Sequence, residues 1–243
     1  MNIVAIVQAR MGSTRLPGKV LKPLCGKSVL AHVIDRLKEV PSINSIVIAT
    51  TVLEEDNAIV NEALANDTFY YRGSKENVLS RYYEAAEEYK ADVIIRVTSD
   101  CPLIDPGITE QIIRDFLNNN VDYMSNKITP TFPRGLDTEV FTKQALEICC
   151  QRAYNDIHTE HVTPYIYLHP DQFSIAEYKW PIDYSNYRWT LDTVEDYELI
   201  TEIYNHLYQF GEIFDWKEAI ALMGEIPELS LINNHVEQKK LGE

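Results

Sequence analysis

Short apolar runs rich in Val and Ile alternate with amphipathic segments through the first half of this chain, and no other feature restricts its fold as strongly. The runs lie at 3–9, 45–51 and 92–100, with a shorter one at 69–71. Between them apolar side chains recur at helical spacing, as in 28–40. Strands that are apolar at every position are buried on both faces. The alternation therefore predicts an α/β fold, with a mainly parallel sheet and helices on both faces.

The segment 127–187 departs from this pattern, because it is rich in Tyr, Pro and His and its alternation is weaker. It contains predicted strands at 138–142 and 173–178 and a predicted helix at 158–169. We interpret the segment as an α+β insertion that covers a site or makes a subunit contact, since Tyr-rich surfaces suit interfaces. The length suits a single domain over 1–243 that contains this insertion.

The charge and the cysteines exclude several kinds of partner and site. With a formal net charge of −15 and a pI near 4.8, the protein repels nucleic acids and anionic membrane surfaces. There is no run of about 18 apolar residues that would predict a membrane span, and the pattern of a secretory signal is absent. The four cysteines form no Cys-x-x-Cys pair. We therefore expect reduced thiols, no zinc site and a cytoplasmic location.

Positive charge is concentrated at one place, directly after the first predicted strand. Residues 1–38 hold seven Lys or Arg and one acid, and QARMGSTRLPGK at 8–19 interleaves cations with Gly, Ser, Thr and Pro. Five residues separate Gly12 from Gly18, whereas a P-loop has four, and GxGxxG is absent. Backbone N–H groups and cationic side chains could still cradle a small anion here. A solvated basic loop is the alternative.

Acidic residues stand at two further positions that suit a binding site. Ligands of open parallel sheets bind beyond the carboxyl ends of the strands, and Asp100 ends the run 92–100. Asp192 stands at the predicted start of the helix over 192–210. A turn after the strand would also explain Asp100, and a helix N-cap would also explain Asp192.

Together these motifs resemble one known family. The loop at 8–19 is similar to the N-terminal signature of the sugar-acid cytidylyltransferases, which include CMP-sialic acid and CMP-KDO synthetases, and it resembles the spore coat polysaccharide branch most. Further matches follow in order over roughly 1–225: GSKENVLSRY at 73–82, RVTSDCPLID at 96–105, PRGLDTEVF at 133–141, EHVTPYIYLHP at 160–170 and WTLDTVEDYELI at 189–200.

The resemblance implies both an activity and an architecture. The protein would transfer CMP from CTP to an acidic sugar, a nonulosonic or octulosonic acid, and release pyrophosphate, for a surface or spore coat polysaccharide. The fold would be a Rossmann-like nucleotidyltransferase domain. Mg²⁺ would be the cofactor, and a homodimer would form through 127–187.

The resemblance also suggests roles for individual residues. The catalytic residues would be Arg10, Arg15, Lys19 and Asp100. Asp100 and Asp192 would hold magnesium, which favours one or two carboxylates together with phosphates and water. The nucleotide would contact Ala9, Arg10, Met11, Gly12, Ser13, Lys19, Arg72, Gly73, Ser74, Asn77, Thr98 and Ser99. We expect the sugar to contact Arg134, Asp137, Glu139, Glu160 and His161.

Plainer roles remain open for several of these residues. A surface ion pair would explain Arg134, and packing within a helix or an interface would explain Glu160 and His161. A helix start capped by Ser74 would explain the segment 72–77. We expect His32 to lie on the solvent side of its helix.

Two departures from the family pattern affect the metal geometry and the choice of sugar. The KDO enzymes have an acid directly after the key aspartate, where this chain has Cys101. The sialic acid synthetases have an additional aspartate where this chain has Thr190. Two other functions also remain open. One is a GT-A glycosyltransferase, against which the lack of a DxD pair after 92–100 argues, and the other is a non-catalytic nucleotide-binding partner.

Overall fold

Seven strands form one sheet in the computed structural model, which describes residues 1–238. Together with the two strands of a separate hairpin, they are β1 (Ile3–Gln8), β2 (Pro23–Leu24), β3 (Lys27–Ser28), β4 (Ser45–Thr51), β5 (Phe69–Gly73), β6 (Val93–Thr98), β7 (Tyr123–Ser125), β8 (Glu139–Thr142) and β9 (Ile175–Glu177). The order across the sheet is β5-β4-β1-β6-β8-β7-β9, and β2 and β3 form a separate hairpin.

Most neighbouring strands of the sheet are parallel, as predicted. β1 pairs in parallel with β4 and β6, and β4 pairs in parallel with β5. β8 runs antiparallel between β6 and β7, and β9 is parallel to β7. Because β1, β4, β5 and β6 run in the same direction, their carboxyl ends meet at one edge, where the sequence places the basic loop and Asp100.

Helices cover both faces of the sheet. They are α1 (Val29–Lys38), α2 (Asn57–Ala65), α3 (Val78–Glu88), α4 (Pro106–Asn119), α5 (Lys143–Arg152), α6 (Asp156–His161), α7 (Pro164–Tyr167), α8 (Val194–Leu207) and α9 (Trp216–Glu225). Ile3, Ala5 and Val7 of β1 pack into one apolar cluster with α1, α4 and α8. Val4 and Ile6 pack into the other cluster, with α3 and α5. No helix within residues 1–238 has the length and apolar character needed to cross a membrane.

The segment 127–187 is part of the main sheet. It supplies β8, which lies between two other strands, and β9, which lies at the edge. The helix predicted at 158–169 is broken into α6 and α7. The break is at Val162, whose φ of +70° and ψ of −58° form a tight turn closed by a hydrogen bond from Thr163 N–H to the His161 carbonyl.

The prediction for His32 was wrong, because this side chain is buried. Its Nε2 lies 2.7 Å from the carbonyl oxygen of Leu24, and its ring packs edge-on against Tyr204 and Tyr208. The β2–β3 hairpin and α8 cover the face of α1 that carries His32. The sequence of α1 taken alone predicts that this face is polar and exposed. Burial lowers the pKa of His32.

Gly135 lies at a close crossing of two backbone segments. The Arg134 N–H donates to the Tyr187 carbonyl at 2.9 Å, and the Trp189 N–H donates to the Arg134 carbonyl at 2.7 Å. Gly135 has a φ of +108°, and a Cβ there would lie only 2.6 Å from the Trp189 carbonyl oxygen. The crossing ties the segment 127–187 to the loop that precedes α8.

Candidate active site

A cavity of about 1020 Å³ opens at the carboxyl edge of the parallel strands. The loop after β1 and the first turn of α3 contribute one group of lining residues, and the chain between β7 and α7 contributes another. Because β6 lies between β1 and β8 in the sheet, Ser99 and Asp100 at its end stand between the two groups.

The loop after β1 is folded around the carbonyl oxygen of Met11. The N–H groups of Ser13 and Gly18 donate to this oxygen at 2.8 and 3.1 Å. The Met11 N–H donates to the buried Asp56 carboxylate at 2.7 Å. Gly18 adopts a φ of +64°, which favours glycine, just before the 3₁₀ helix Lys19–Leu21.

This folding turns most of the predicted loop residues toward the cavity. Those that line it are Ala9, Arg10, Ser13, Arg15 and Lys19. Met11 and Gly12 do not line it, because the Met11 side chain packs against the apolar core and Gly12 lies beside Glu55. Among residues 1–238, Arg10 has no recorded hydrogen bond or ion pair, so its guanidinium is available to a ligand.

Lys19 joins the two predicted metal ligands. Its Nζ lies 2.7 Å from an oxygen of Asp100 and 2.8 Å from an oxygen of Asp192. The other Asp192 oxygen lies 2.9 Å from Arg15 and 2.8 Å from Arg188. Burial by itself would raise the pKa of Asp192, but the charges of Lys19 and Arg15 outweigh it and lower the pKa. The sequence-distant pair Asp100 and Asp192 is therefore brought together.

Asp192 does not cap α8, so the helix N-cap interpretation of this residue was wrong. The N-cap is Thr193, whose hydroxyl accepts from the Asp196 N–H at 3.3 Å. The Asp196 carboxylate accepts in return from the backbone N–H groups of Asp192 and Thr193. Asp196 is fully buried and also binds Arg188 at 2.9 Å. The capping box thus fixes the backbone of Asp192 and leaves its carboxylate facing the cavity.

The residues around Lys19 fit a divalent cation. One ammonium lies within hydrogen-bond distance of both carboxylates, so a positive charge is already held where they converge. No cluster of three or more His, Cys, Asp or Glu that could hold a metal occurs in the part of the chain that the structure describes. Magnesium commonly takes only one or two carboxylates and completes its shell with phosphates and water. The donor set therefore fits magnesium bound with a nucleotide.

The segment 72–77 serves mainly to build the local structure. The Arg72 guanidinium donates to the Thr51 and Leu53 carbonyls at 2.9 and 2.8 Å. The cap of α3 is Asn77, not Ser74, and Ser74 accepts from the Asn77 N–H at 3.0 Å. None of the four predicted residues Arg72, Gly73, Ser74 and Asn77 lines the cavity.

Other residues of this segment and of the first turn of α3 line the cavity instead. They are Lys75, Glu76, Val78 and Arg81. Arg81 is buried and donates to the Ser74 carbonyl at 2.8 Å, while its Nε has no partner within residues 1–238. Thr98 and Ser99, which we expect to contact the nucleotide, line the cavity, and so does Thr190, whose buried hydroxyl has no partner in the same range. Unpaired donors of this kind indicate a site that a ligand completes.

All five predicted sugar contacts line the other part of the cavity: Arg134, Asp137, Glu139, Glu160 and His161. Arg134 lies 3.6 Å from Asp137, and Glu160 is exposed. Burial lowers the pKa of His161. Glu139 is buried and is already bound by Arg96 and Lys127.

A family model described as Cytidylyltransferase matches residues 4–240. The chain belongs to the cytidylyltransferase family. The enzyme class is therefore nucleotidyltransferase, and the family membership removes the glycosyltransferase and the non-catalytic alternatives.

Two known proteins are similar in sequence to this cytidylyltransferase. It is 34% identical over 234 residues to the spore coat polysaccharide biosynthesis protein SpsF of Bacillus subtilis, a match that covers 93% of this chain and 96% of SpsF. It is 37% identical over 122 residues to the 3-deoxy-manno-octulosonate cytidylyltransferase of Trichlorobacter lovleyi, which covers 49% of this chain and 46% of that enzyme.

A solved structure confirms the predicted α/β nucleotidyltransferase fold. The cytidylyltransferase from Leptospira borgpetersenii serovar Hardjo-bovis superposes with a TM-score of 0.91 at 32% identity, over 99% of both chains. The match includes the segment 127–187 and the two helices that follow it.

Sequence reasoning missed several charged residues of this site, among them Arg96, Lys127 and Arg188. A signal existed for Arg96, because it is the one charged side chain inside the apolar run of β6 and needs a buried partner. Glu139, at the start of β8, lies opposite it in the ladder. No comparable sequence signal marks Lys127 or Arg188.

Proposed function

We propose that this cytidylyltransferase activates an acidic sugar with CTP to give a CMP-sugar and pyrophosphate. The observation that carries the proposal is the Lys19 bridge between Asp100 and Asp192, beside Arg15 and within a cavity large enough for both substrates. The bridge joins the predicted phosphate loop directly to the predicted metal ligands.

The basic loop would bind the triphosphate. Arg10 makes no side-chain hydrogen bond or ion pair within residues 1–238, and Arg15 and Lys19 lie at the cavity wall, so all three can meet the phosphates of CTP. The buried Nε of Arg81 has no acceptor among the residues that the structure describes, and it offers a donor to the nucleotide. Charge neutralisation of this kind favours departure of pyrophosphate.

The reaction is an in-line displacement at the α-phosphorus. A hydroxyl oxygen of the sugar forms a bond to the α-phosphorus while the bond from that phosphorus to the bridging oxygen of the β-phosphate breaks. The hydroxyl proton is released to water, and the electron pair of the broken bond leaves with pyrophosphate. Most of the catalysis then comes from positioning and from charge stabilisation.

Asp100 and Asp192 would hold magnesium. When bound, the ion would neutralise phosphate charge and polarise the oxygens around the α-phosphorus. Arg188 and the capping box of α8 would keep Asp192 oriented for this role.

The second group of lining residues would bind the sugar. Arg134, Asp137, Glu160 and His161 offer the mixture of donors and acceptors that a polyhydroxylated acid needs. The names of the SpsF and 3-deoxy-manno-octulosonate relatives support a sugar acid for a surface or spore coat polysaccharide. All four cysteines are free thiols, which suits a reducing compartment, and we place the reaction in the cytoplasm.

A pyrophosphate-release screen tests the proposal. The purified protein is assayed with CTP, UTP, ATP or GTP against a panel of nonulosonic and octulosonic acids, with and without Mg²⁺. We expect release only when CTP, a sugar acid and Mg²⁺ are all present. Consumption of a UDP-hexose without any reaction of CTP would contradict the proposal.

A further inference from the structure

We propose that Lys127 receives the carboxylate of the acidic sugar, and that Glu139 is the positioning residue that holds Lys127 in place. The inference rests on the proposed function, since it concerns the sugar acid of the same reaction. It gives Glu139 a different role from the direct sugar contact expected from sequence.

Five side chains meet at the start of β8, and we call them the Glu139 cluster: Arg96, Tyr123, Lys127, Glu139 and Thr163. The Glu139 carboxylate accepts hydrogen bonds from the other four. Its oxygens lie 2.7 Å from the Tyr123 hydroxyl and 3.1 Å from the Lys127 ammonium. A carboxylate has about four lone-pair positions, so Glu139 has no free position left for a sugar hydroxyl.

The Glu139 cluster carries one positive charge in excess. Burial by itself would raise the pKa of Glu139, but the charges of Lys127 and Arg96 outweigh it and lower the pKa to about 2, so the carboxylate is ionised. Two cations therefore face one anion, since Tyr123 and Thr163 are neutral. A cation that is partly withdrawn from water and shares its only carboxylate with a second cation is poorly compensated, and a bound monoanion would supply the compensation.

Two groups in the Glu139 cluster can reach such an anion. The Lys127 side chain is 24% exposed, whereas that of Arg96 is 7% exposed, and both residues line the cavity. An ammonium has three donors, and the one hydrogen bond that the Lys127 ammonium makes within residues 1–238 goes to Glu139. Arg96 adds a buried Nε that has no acceptor in that range. Lys127 is therefore the residue that contacts the carboxylate of the sugar, and Arg96 lies behind Lys127.

The surroundings favour a carboxylate over a phosphate. Asp137, Asp156 and Glu160 line the same part of the cavity, and the last two are exposed. A dianionic phosphate would be repelled by these acids. A sugar acid has a single negative charge for Lys127, and its hydroxyls can donate to the surrounding carboxylates.

The tight turn at Val162 supports a built site. A buried β-branched residue at positive φ is a strained conformation that persists only where its surroundings impose it, and such strain gathers at functional sites. Here the turn lets the Thr163 hydroxyl bind Glu139 while the neighbouring His161 lines the cavity. The backbone is thus held in the position that completes the Glu139 cluster.

The test compares sugar acids with their methyl esters, which lack the charge. Binding of 3-deoxy-manno-octulosonate, N-acetylneuraminate and both esters is measured by calorimetry, with a non-hydrolysable CTP analogue present. We expect wild type to bind one free acid about 10- to 100-fold more tightly than its ester, the scale of a charged hydrogen bond. Lys127→Met should bind the two forms equally, and Lys127→Arg should keep most of the preference.

Further variants separate this role from a general loss of structure. Lys179→Met removes an exposed lysine of the same segment, whose ion pair within residues 1–238 is with Glu177, and this variant should match wild type. Thr163→Val removes one bond to Glu139 and should weaken acid binding without changing ester binding or the KM for CTP. The same pattern is expected for Glu139→Gln where that variant folds.

The outcomes distinguish failure of the inference from failure of the proposed function. An unchanged preference for acid over ester in Lys127→Met overturns the inference, as does wild-type protein that binds none of the acids. Tighter binding of sn-glycerol 3-phosphate than of any acid, lost in Lys127→Met, would assign the site to phosphate and also overturn it. Acid binding that depends on Lys127 but gives no CMP-sugar would support the carboxylate site and contradict the proposed function alone.

Discussion

Asp192 combines a rigid backbone with a carboxylate that several cations share. Its N–H is fixed by Asp196, and its oxygens meet Lys19, Arg15 and Arg188 within 2.9 Å. The structural role therefore belongs to the neighbouring cap, and the chemical role belongs to the carboxylate. Substitutions at 192 and 193 can separate the two.

Asp192→Asn is expected to lower kcat by about 10²- to 10³-fold, the scale for losing one preorganised electrostatic partner, and to raise the Mg²⁺ concentration that is needed. Asp100→Asn should behave in the same way, and the double variant should lose little more, because the pair acts as a unit. Turnover is measured against Mg²⁺ concentration.

Thr193→Ala is the matched control, because it removes the N-cap of α8. It should cost about 1 kcal/mol of unfolding free energy and leave the Mg²⁺ dependence unchanged, because the Asp196 carboxylate that holds the Asp192 N–H is retained. Full activity of Asp192→Asn at low Mg²⁺ would show that Asp100 holds the metal without it.

Arg15→Ala and Lys19→Ala should each cost about 2–4 kcal/mol of transition-state stabilisation. Both remove charge from the proposed path of the triphosphate, so kcat/KM for CTP is the quantity to measure. Lys22→Ala is the control, since Lys22 lies on the same loop but packs over the Tyr197 ring and does not line the cavity. Wild-type turnover in both variants would mean that the loop is only solvated charge.

The antiparallel contact of β6 and β8 is the element that connects the sheet to the second part of the cavity. It sets Arg96 directly opposite Glu139 and so places an ion pair inside the core. Removing one partner of such a pair leaves the other charge buried, which is strongly destabilising.

Acid should weaken the fold through Glu139. The pKa of Glu139 is about 2 in the folded protein, whereas the ordinary value of 4.5 applies to the unfolded chain. Between these two pH values the unfolded state therefore binds the proton more readily than the folded state. The associated stability, roughly 3 kcal/mol, is present above about pH 4.5 and is lost as the pH falls toward 2. Urea unfolding of wild type and Glu139→Gln from pH 6 to pH 3 measures it. If the difference in unfolding free energy between wild type and Glu139→Gln does not narrow as the pH falls, this assignment is contradicted.

Regular elements could be predicted from the sequence where one pattern dominates. β1, β4 and β6 follow from continuous apolar runs, and α8 follows from its periodicity. The caps were harder to predict, because Asn77 and Thr193 compete with Ser74 and Asp192, which are equally able to accept backbone hydrogen bonds.

Features that depend on tertiary packing could not be predicted. Val162 breaks a helical pattern with a conformation that valine avoids, and His32 is covered by elements that are distant in sequence. In the site, Lys19, Asp100 and Asp192 could be named from motifs, but their shared contact depends on how three segments meet. Lys127 lacked any local signal, since its role follows from the net charge of the Glu139 cluster.

At the scale of the whole molecule, the segment 127–187 has two roles. It supplies lining residues to the cavity, and it also exposes large apolar side chains. Tyr154 is 73% exposed, Leu168 54% and Ile182 56%. These side chains support the expectation of a homodimer formed through this segment.

Light scattering at micromolar concentration should therefore give the mass of a dimer, and Leu168→Glu should shift the protein toward the monomer. Leu117→Glu is the control, because Leu117 is exposed on α4, outside the segment. A monomeric wild type at that concentration would contradict the expectation.

The crossing at Gly135 limits which substitutions this enzyme can accept during evolution. Even a methyl group there would collide with the backbone at Trp189, so no neighbouring side chain can move aside to admit it. At Gly224, in α9, no atom of residues 1–238 outside the local helix lies within 4 Å of where a Cβ would be. In a saturation library we expect functional clones to retain glycine at 135 and to vary freely at 224. Substrate preference can then diverge around the crossing, through side chains on either part of the cavity, while the backbone that joins the two parts stays the same.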